Sequence, residues 1–201
     1  MNWILDNYIE ILGVIFGFIY IFLSIKQNVW LWPIGIINAT LYVWVFLMSK
    51  LYADMSLQIY YLLISIYGWY YWVSGKNVKQ KDNKNLPITR TNAKTFVVLL
   101  ILEILLFSTL WFVLKNFTDS TVPAGDAFAT SLSILATWML TKKKIEQWLI
   151  WIVVNIFSVG LFYYKELYAT VILYSVFALL ASVGYIKWHK ELKLSENAAN
   201  N

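Results

Sequence analysis

The 43 residues Trp30–Trp72, WLWPIGIINATLYVWVFLMSKLYADMSLQIYYLLISIYGWYYW, return in altered form at Trp148–Trp188 as WLIWIVVNIFSVGLFYYKELYATVILYSVFALLASVGYIKW. Both copies contain the tripeptide Leu-Tyr-Ala, at Leu51–Ala53 and Leu167–Ala169. After 14 further residues each continues with a glycine, an aromatic and, three positions later, a tryptophan: Gly68, Trp69, Trp72 and Gly184, Tyr185, Trp188. One membrane unit has been used twice. A duplicated hydrophobic unit implies a pathway between two half-molecules, which is the usual plan of a secondary transporter.

Composition sets the same frame. Of 201 residues 60% are hydrophobic, 18% aromatic and 13% charged, against about 25% charged in a soluble domain. A spanning helix takes about 20 apolar residues, so the chain has room for roughly six to eight spans and for no separate catalytic domain. The absence of cysteine excludes disulfides and thiolate chemistry. The single histidine, His189, stands in a charged stretch and reads as a solvated or headgroup residue. Asp6 and Glu10 precede the first apolar run without any lysine or arginine, unlike a cleavable signal peptide, so that run reads as a mature span.

Apolar runs predict an all-α membrane protein with seven transmembrane helices at about 8–25, 30–48, 55–73, 95–114, 126–141, 147–164 and 168–187. The segment Ser74–Lys94, SGKNVKQKDNKNLPITRTNAK, has the composition of a linker. With this loop on the cytoplasmic side, 13 of the 16 lysines and arginines lie inside and only Lys50, Lys115 and Lys165 outside. The positive-inside rule then predicts an N-terminus outside and a C-terminus inside, and the net charge of +5 needs no nucleic-acid partner. Three helices end on the opposite side from where they begin, so parallel copies need one extra span between them. The expected organisation is therefore three plus one plus three: residues 1–75 form the first three-helix repeat, 76–122 the basic loop and linker helix, 123–190 the second repeat, and 191–201 a polar C-terminal tail. Ahead of the repeat the copies align loosely, through Lys26 with Lys144 and Trp30 with Trp148.

Polar side chains are costly in mid-membrane and therefore point to a site. Gly35, Asn38 and Tyr42 share one helix face; Trp148, Trp151, Asn155 and Ser158 share another. In the third span Asp54, Gln58, Tyr61, Ser65, Trp69 and Trp72 form a stripe, which the seventh repeats as Thr170, Tyr174, Phe177, Ala181, Tyr185 and Trp188. The amides of Asn38, Gln58 and Asn155 offer donors and acceptors without the cost of burying charge. Trp32, Trp69, Trp151 and Tyr174 present rings for stacking on a flat, cationic solute. The same amides also join transmembrane helices by hydrogen bonds, and tryptophans also anchor at interfaces. Trp32 is also expected at a gate or entrance, and Asp54 and Asp126, near the outer span ends, read either as entrance charges or as helix caps. Glu103, alone in the linker helix, reads as a structural or protomer contact ahead of a proton-coupling site. No Walker A spacing, paired carboxylates or catalytic triad occurs in a span, and the last helix has no lysine before Lys187 for a Schiff base. An enzyme is not expected, nor any metal or cofactor.

These motifs together resemble the PnuC family of vitamin transporters. The resemblance rests on Trp-Pro-x-Gly-x-x-Asn at Trp32–Asn38, the segment Leu51–Gln58, Tyr67-Gly68-Trp69 with Trp72, Asp126-Ala127-Phe128, and Trp148-x-x-Trp151-x-x-x-Asn155, and it covers nearly the whole chain. It implies a SWEET-like architecture, a trimer in the bacterial inner membrane, and facilitated diffusion of nicotinamide riboside with phosphorylation inside the cell as the trap. Carried onto this sequence, the family's site residues fall on Gln58, Trp151, Asn155 and Tyr174, with Asn38 beside them. Relatives carry thiamine or riboflavin. Asn155 favours the riboside, whereas an aspartate at that place is associated with thiamine. A membrane ligand sensor without transport is the alternative of another class.

Overall fold

The computed structural model describes residues 8–48, 52–78 and 86–200. Among them it contains seven α-helices: α1 Tyr8–Ile25, α2 Leu31–Met48, α3 Tyr52–Val78, α4 Ala93–Phe117, α5 Pro123–Thr141, α6 Gln147–Tyr164 and α7 Tyr168–Asn200. The seven expected spans coincide with these helices. Three are long and apolar enough by themselves to cross a membrane, at Ala93–Phe117, Gln147–Tyr164 and Thr170–Ala198, with shorter apolar stretches at Val14–Ile25 and Leu31–Val45. Two of the others, α3 and α5, fall short for reasons of composition. α3 spends its length on tyrosine and tryptophan with Asp54, Gln58 and Lys76, and α5 on serine, threonine and glycine. The stretch after Lys190, expected as a polar tail, continues α7 as helix to Asn200.

The chain divides into two compact units, Met1–Leu86 and Pro87–Asn201. In the first, α1 packs on α2 and α2 on α3. The pairs Trp32 with Gly68 and Gly35 with Ser65 run in opposite chain order, so α2 and α3 are antiparallel. In the second unit α4 packs on α5, α5 on α6 and α6 on α7, with Leu99, Leu135 and Met139 forming a buried core extended by Trp138 and Ile150.

Local chemistry explains where the helices start and stop. Asn92 caps α4 by accepting the Thr95 N–H at 2.7 Å. Pro123 opens α5 where a missing N–H costs nothing, and Pro33 is tolerated in the first turn of α2 for the same reason. α1, α5 and α6 all end in the same turn. A residue with positive φ, namely Gln27 (53°), Lys143 (49°) or Glu166 (60°), lets its own N–H reach back three residues and the next N–H reach back five. That is the Schellman pattern, here without glycine.

The turns also set the internal register. Gln27 N–H donates to the Ser24 carbonyl and Asn28 N–H to Leu23; Lys143 donates to Leu140 and Lys144 to Met139. Both pairs lie 116 positions apart, as do Trp32 and Trp148, Gly68 and Gly184, and Trp72 and Trp188. The loose alignment of Trp30 with Trp148 and Lys26 with Lys144 is therefore corrected to Trp32 with Trp148 and Lys26 with Lys142. The turn, which cannot slip, decides it. In this register Asn155 corresponds to Ala39, Asn38 to Val154 and Trp151 to Gly35, so the two asparagines are not equivalent.

Candidate functional site

Each unit contains a node of two tryptophans and a glycine that holds its last two helices in register. Trp32 and Trp72 meet edge to face at 5.4 Å and 88°, and Trp148 and Trp188 at 5.6 Å and 84°. Both Trp32 and Trp148 lie over a glycine, and a Cβ on Gly68 or Gly184 would sit only 2.5 or 2.6 Å from the indole. Trp32, expected near an entrance, is fully buried in this packing.

Toward the other end of α2 and α3 the first unit becomes polar. Gly35 admits the Ser65 hydroxyl and the Tyr20 ring, which would lie 2.9 and 3.2 Å from an added Cβ. Ser65 is buried. One turn beyond Gly35, Asn38 is half-buried and its Oδ1 is fully enclosed with no hydrogen-bond partner among the described residues. Gln58 is half-buried, two turns before Ser65 on α3. Tyr60 and Tyr61 pack together at 5.5 Å between them. Trp69, by contrast, is 42% exposed although Gly68 and Trp72 beside it are buried. The Asp54 side chain lies outside the described residues.

The second unit contributes a different set. Asn155 and Ser158 lie on the buried face of α6, Asn155 only 4% exposed, while Trp151 one turn earlier is half-buried. On α7, Tyr174 is half-buried between Phe162 at 5.0 Å and Phe177 at 6.1 Å. Trp151 stands where the first unit has Gly35, and Ala181, fully buried, where it has Ser65. The first unit thus holds Asn38, Gln58, Ser65 and the Tyr60–Tyr61 pair, and the second holds Asn155 on α6 and Tyr174 with its two phenylalanines on α6 and α7.

The carboxylates take structural partners. Asp126, in the first turn of α5, accepts from Lys165 Nζ at 2.7 Å and from the Ser120 hydroxyl at 2.7 Å. Its carboxylate does not cap α5, whose N-cap is Val122 with no side-chain bond. Glu103 accepts from the buried Ser131 hydroxyl at 2.6 Å and ties α4 to α5, leaving its Oε2 enclosed without a partner among the described residues.

Sequence reasoning missed a second polar cluster, between α5 and α6. Thr89 and Lys144 form a single parallel bridge, with Thr89 N–H donating to Lys143 and Ile145 N–H to Thr89. Glu146 accepts the Thr91 N–H at 3.0 and 3.1 Å and its hydroxyl at 2.7 Å. Lys144 Nζ donates to the Arg90 carbonyl at 2.9 Å. Gln147, next in sequence, is fully buried with neither amide atom bonded among the described residues. The partners are more than 50 residues apart, and neither periodicity nor spacing signals such a pairing.

Residues 7–190 match the profile of the family described as nicotinamide mononucleotide transporter. The nicotinamide riboside transporter PnuC of Escherichia coli (strain K12) is 26% identical over 203 residues, spanning 90% of this chain and 85% of that protein. The riboflavin/roseoflavin transporter RibM of Streptomyces davaonensis is 22% identical over 198 residues, spanning 94% and 92%. The crystal structure of the vitamin B3 transporter PnuC superposes with a TM-score of 0.73 at 21% identity, covering 94% of this chain and 83% of that one. At that identity the likeness is one of fold.

Proposed function

The chain belongs to the nicotinamide mononucleotide transporter family, and on that premise we propose that it carries nicotinamide riboside across the bacterial inner membrane by facilitated diffusion, trapped inside by phosphorylation. The observation that carries the substrate reading is Asn155. It is a neutral carboxamide, 4% exposed, one turn after the half-buried Trp151 on α6, at a position where the other copy has only Ala39. A buried amide demands hydrogen bonds, and the carboxamide and ribose hydroxyls of the riboside supply complementary donors and acceptors. Asn38, Gln58, Trp69, Trp151, Asn155 and Tyr174 are assigned to substrate contact, and Trp32, Asp54 and Asp126 to the ends of the path. The proposed architecture is three plus one plus three, SWEET-like and assembled as a trimer, with the N-terminus outside and the C-terminus inside.

Two readings compete within the family. Thiamine shares a cationic, planar, hydroxylated character with the riboside, and the likeness to RibM brings in riboflavin. A sensor that binds without carrying is the reading from another class. Titration of purified protein with nicotinamide riboside, thiamine and riboflavin separates the vitamins; no binding below about millimolar, weaker than roughly −4 kcal/mol, would remove all three. Proteoliposomes then separate carrier from sensor. A carrier equilibrates labelled riboside down its gradient without ATP, and a sensor takes up none.

A further inference from the structure

The exposed side of α7 changes character at one residue. Leu179, Val183 and Ile186 are more than half exposed and lie on one helix face, as expected of a surface turned to hydrocarbon. Immediately beyond, the same face continues as Lys187, Lys190 and Lys193, all exposed. None of the three has an ion-pair or hydrogen-bond partner among the described residues. The opposite face holds the buried Trp188 and Leu192, while Glu191 lies one turn after Lys187 at the flank and Glu196 is exposed. Glu196 is paired with Arg90 at 3.4 Å.

We propose that Lys187, Lys190 and Lys193 form a binding face for the headgroups of anionic phospholipids in the adjoining leaflet. Two features select lipid over a soluble acidic partner. The lysines continue the apolar stripe without a break, so the ammonium groups begin where hydrocarbon ends. From Lys187 to Lys193 the helix rises about 9 Å, comparable with the roughly 5–7 Å depth of a headgroup layer. Lysine stems lie along apolar surface while their charged ends reach phosphate.

The test uses the full-length protein in mixed micelles, with bound lipid counted by native mass spectrometry during titration with phosphatidylglycerol or phosphatidylcholine. The wild type is expected to retain phosphatidylglycerol preferentially, by roughly fivefold per engaged lysine. The triple variant Lys187→Gln, Lys190→Gln, Lys193→Gln is expected to lose most of that preference, and the triple lysine-to-arginine variant to keep it. Lys115→Gln, at the other end of α4, is expected to leave it unchanged. Equal retention of the two lipids by the wild type would overturn the proposal, even if the glutamine variant failed to insert. So would an undiminished preference in an inserted glutamine variant, or displacement of phosphatidylglycerol by equimolar inorganic phosphate.

Discussion

Trp148 closes over Gly184 and meets Trp188 edge-on at 5.6 Å, and 116 positions earlier Trp32 does the same with Gly68 and Trp72. The node places a large flat ring where the backbone of the facing helix is bare. It joins α6 to α7, and α2 to α3, at the end nearest the tight turns, so that the polar parts of those helices emerge from a fixed base.

Gly68→Ala and Gly184→Ala are each expected to destabilise the protein by about 1–3 kcal/mol, the usual cost of overpacking. The new methyl would collide with a ring that has no room to retreat. Gly160→Ala, which meets nothing within 4 Å, is expected to be neutral or to stabilise by up to about 1 kcal/mol through helix propensity. Thermal unfolding of the detergent-purified variants, followed by loss of tertiary fluorescence, gives the ordering.

The positive-φ turns make the opposite prediction. An L-residue pays about 1–2 kcal/mol for the left-handed conformation and glycine does not. Gln27→Gly and Glu166→Gly should therefore stabilise the fold by about 1 kcal/mol, after allowance for glycine's greater freedom when unfolded. Lys143→Gly should not, because the Lys143 side chain is itself buried and its removal leaves a gap. The same unfolding assay distinguishes the three.

Glu146 holds the Thr89–Thr91 segment through three hydrogen bonds to one residue. Glu146→Ala removes a charged acceptor, worth about 1.5–3 kcal/mol to a hydrogen bond. The Thr91 amide is expected to exchange with deuterium at least about tenfold faster, the equivalent of 1.4 kcal/mol, with Ile145 following. Glu146→Gln, which keeps one carbonyl acceptor, should show a smaller acceleration. Exchange unchanged in both would mean that the bridge between Thr89 and Lys144 suffices alone.

The Asp126–Lys165 pair joins the start of α5 to the end of α6, and its side chains are 27% and 22% exposed. That setting is intermediate between surface and interior. A double-mutant cycle with Asp126→Asn and Lys165→Met is expected to give a coupling of about 1 kcal/mol that shrinks as salt is raised. If Asp126 also serves substrate entry, uptake rates should fall in Asp126→Asn beyond what the loss of stability explains.

At the proposed binding site, Asn155→Ala and Gln58→Ala are each expected to weaken the true ligand by more than about tenfold, or 1.4 kcal/mol. Trp151→Ala should do likewise through loss of stacking. Isothermal titration with the best-binding vitamin reads all three, and unchanged affinity in both amide variants would remove them from the site.

The sequence by itself determined the class, the seven helices and the duplication. Hydrophobic length and the repeated Leu-Tyr-Ala and Gly-aromatic-Trp spacings are local properties, visible wherever the chain is cut. The amides and aromatics of the candidate site were legible for the same reason, because polar groups are rare in apolar runs. What only the tertiary structure decided was register and partnership. The pairing of Trp32 with Gly68, the Ser65 hydroxyl beside Gly35, Lys165 on Asp126 and Glu146 on Thr91 all join residues distant in the chain. Such contacts depend on how helices lie against one another, which periodicity within a single helix does not encode. The offset between the copies moved by two residues at Trp148 once the turns were seen, because a hydrogen-bonded turn tolerates no slip and an apolar run tolerates several.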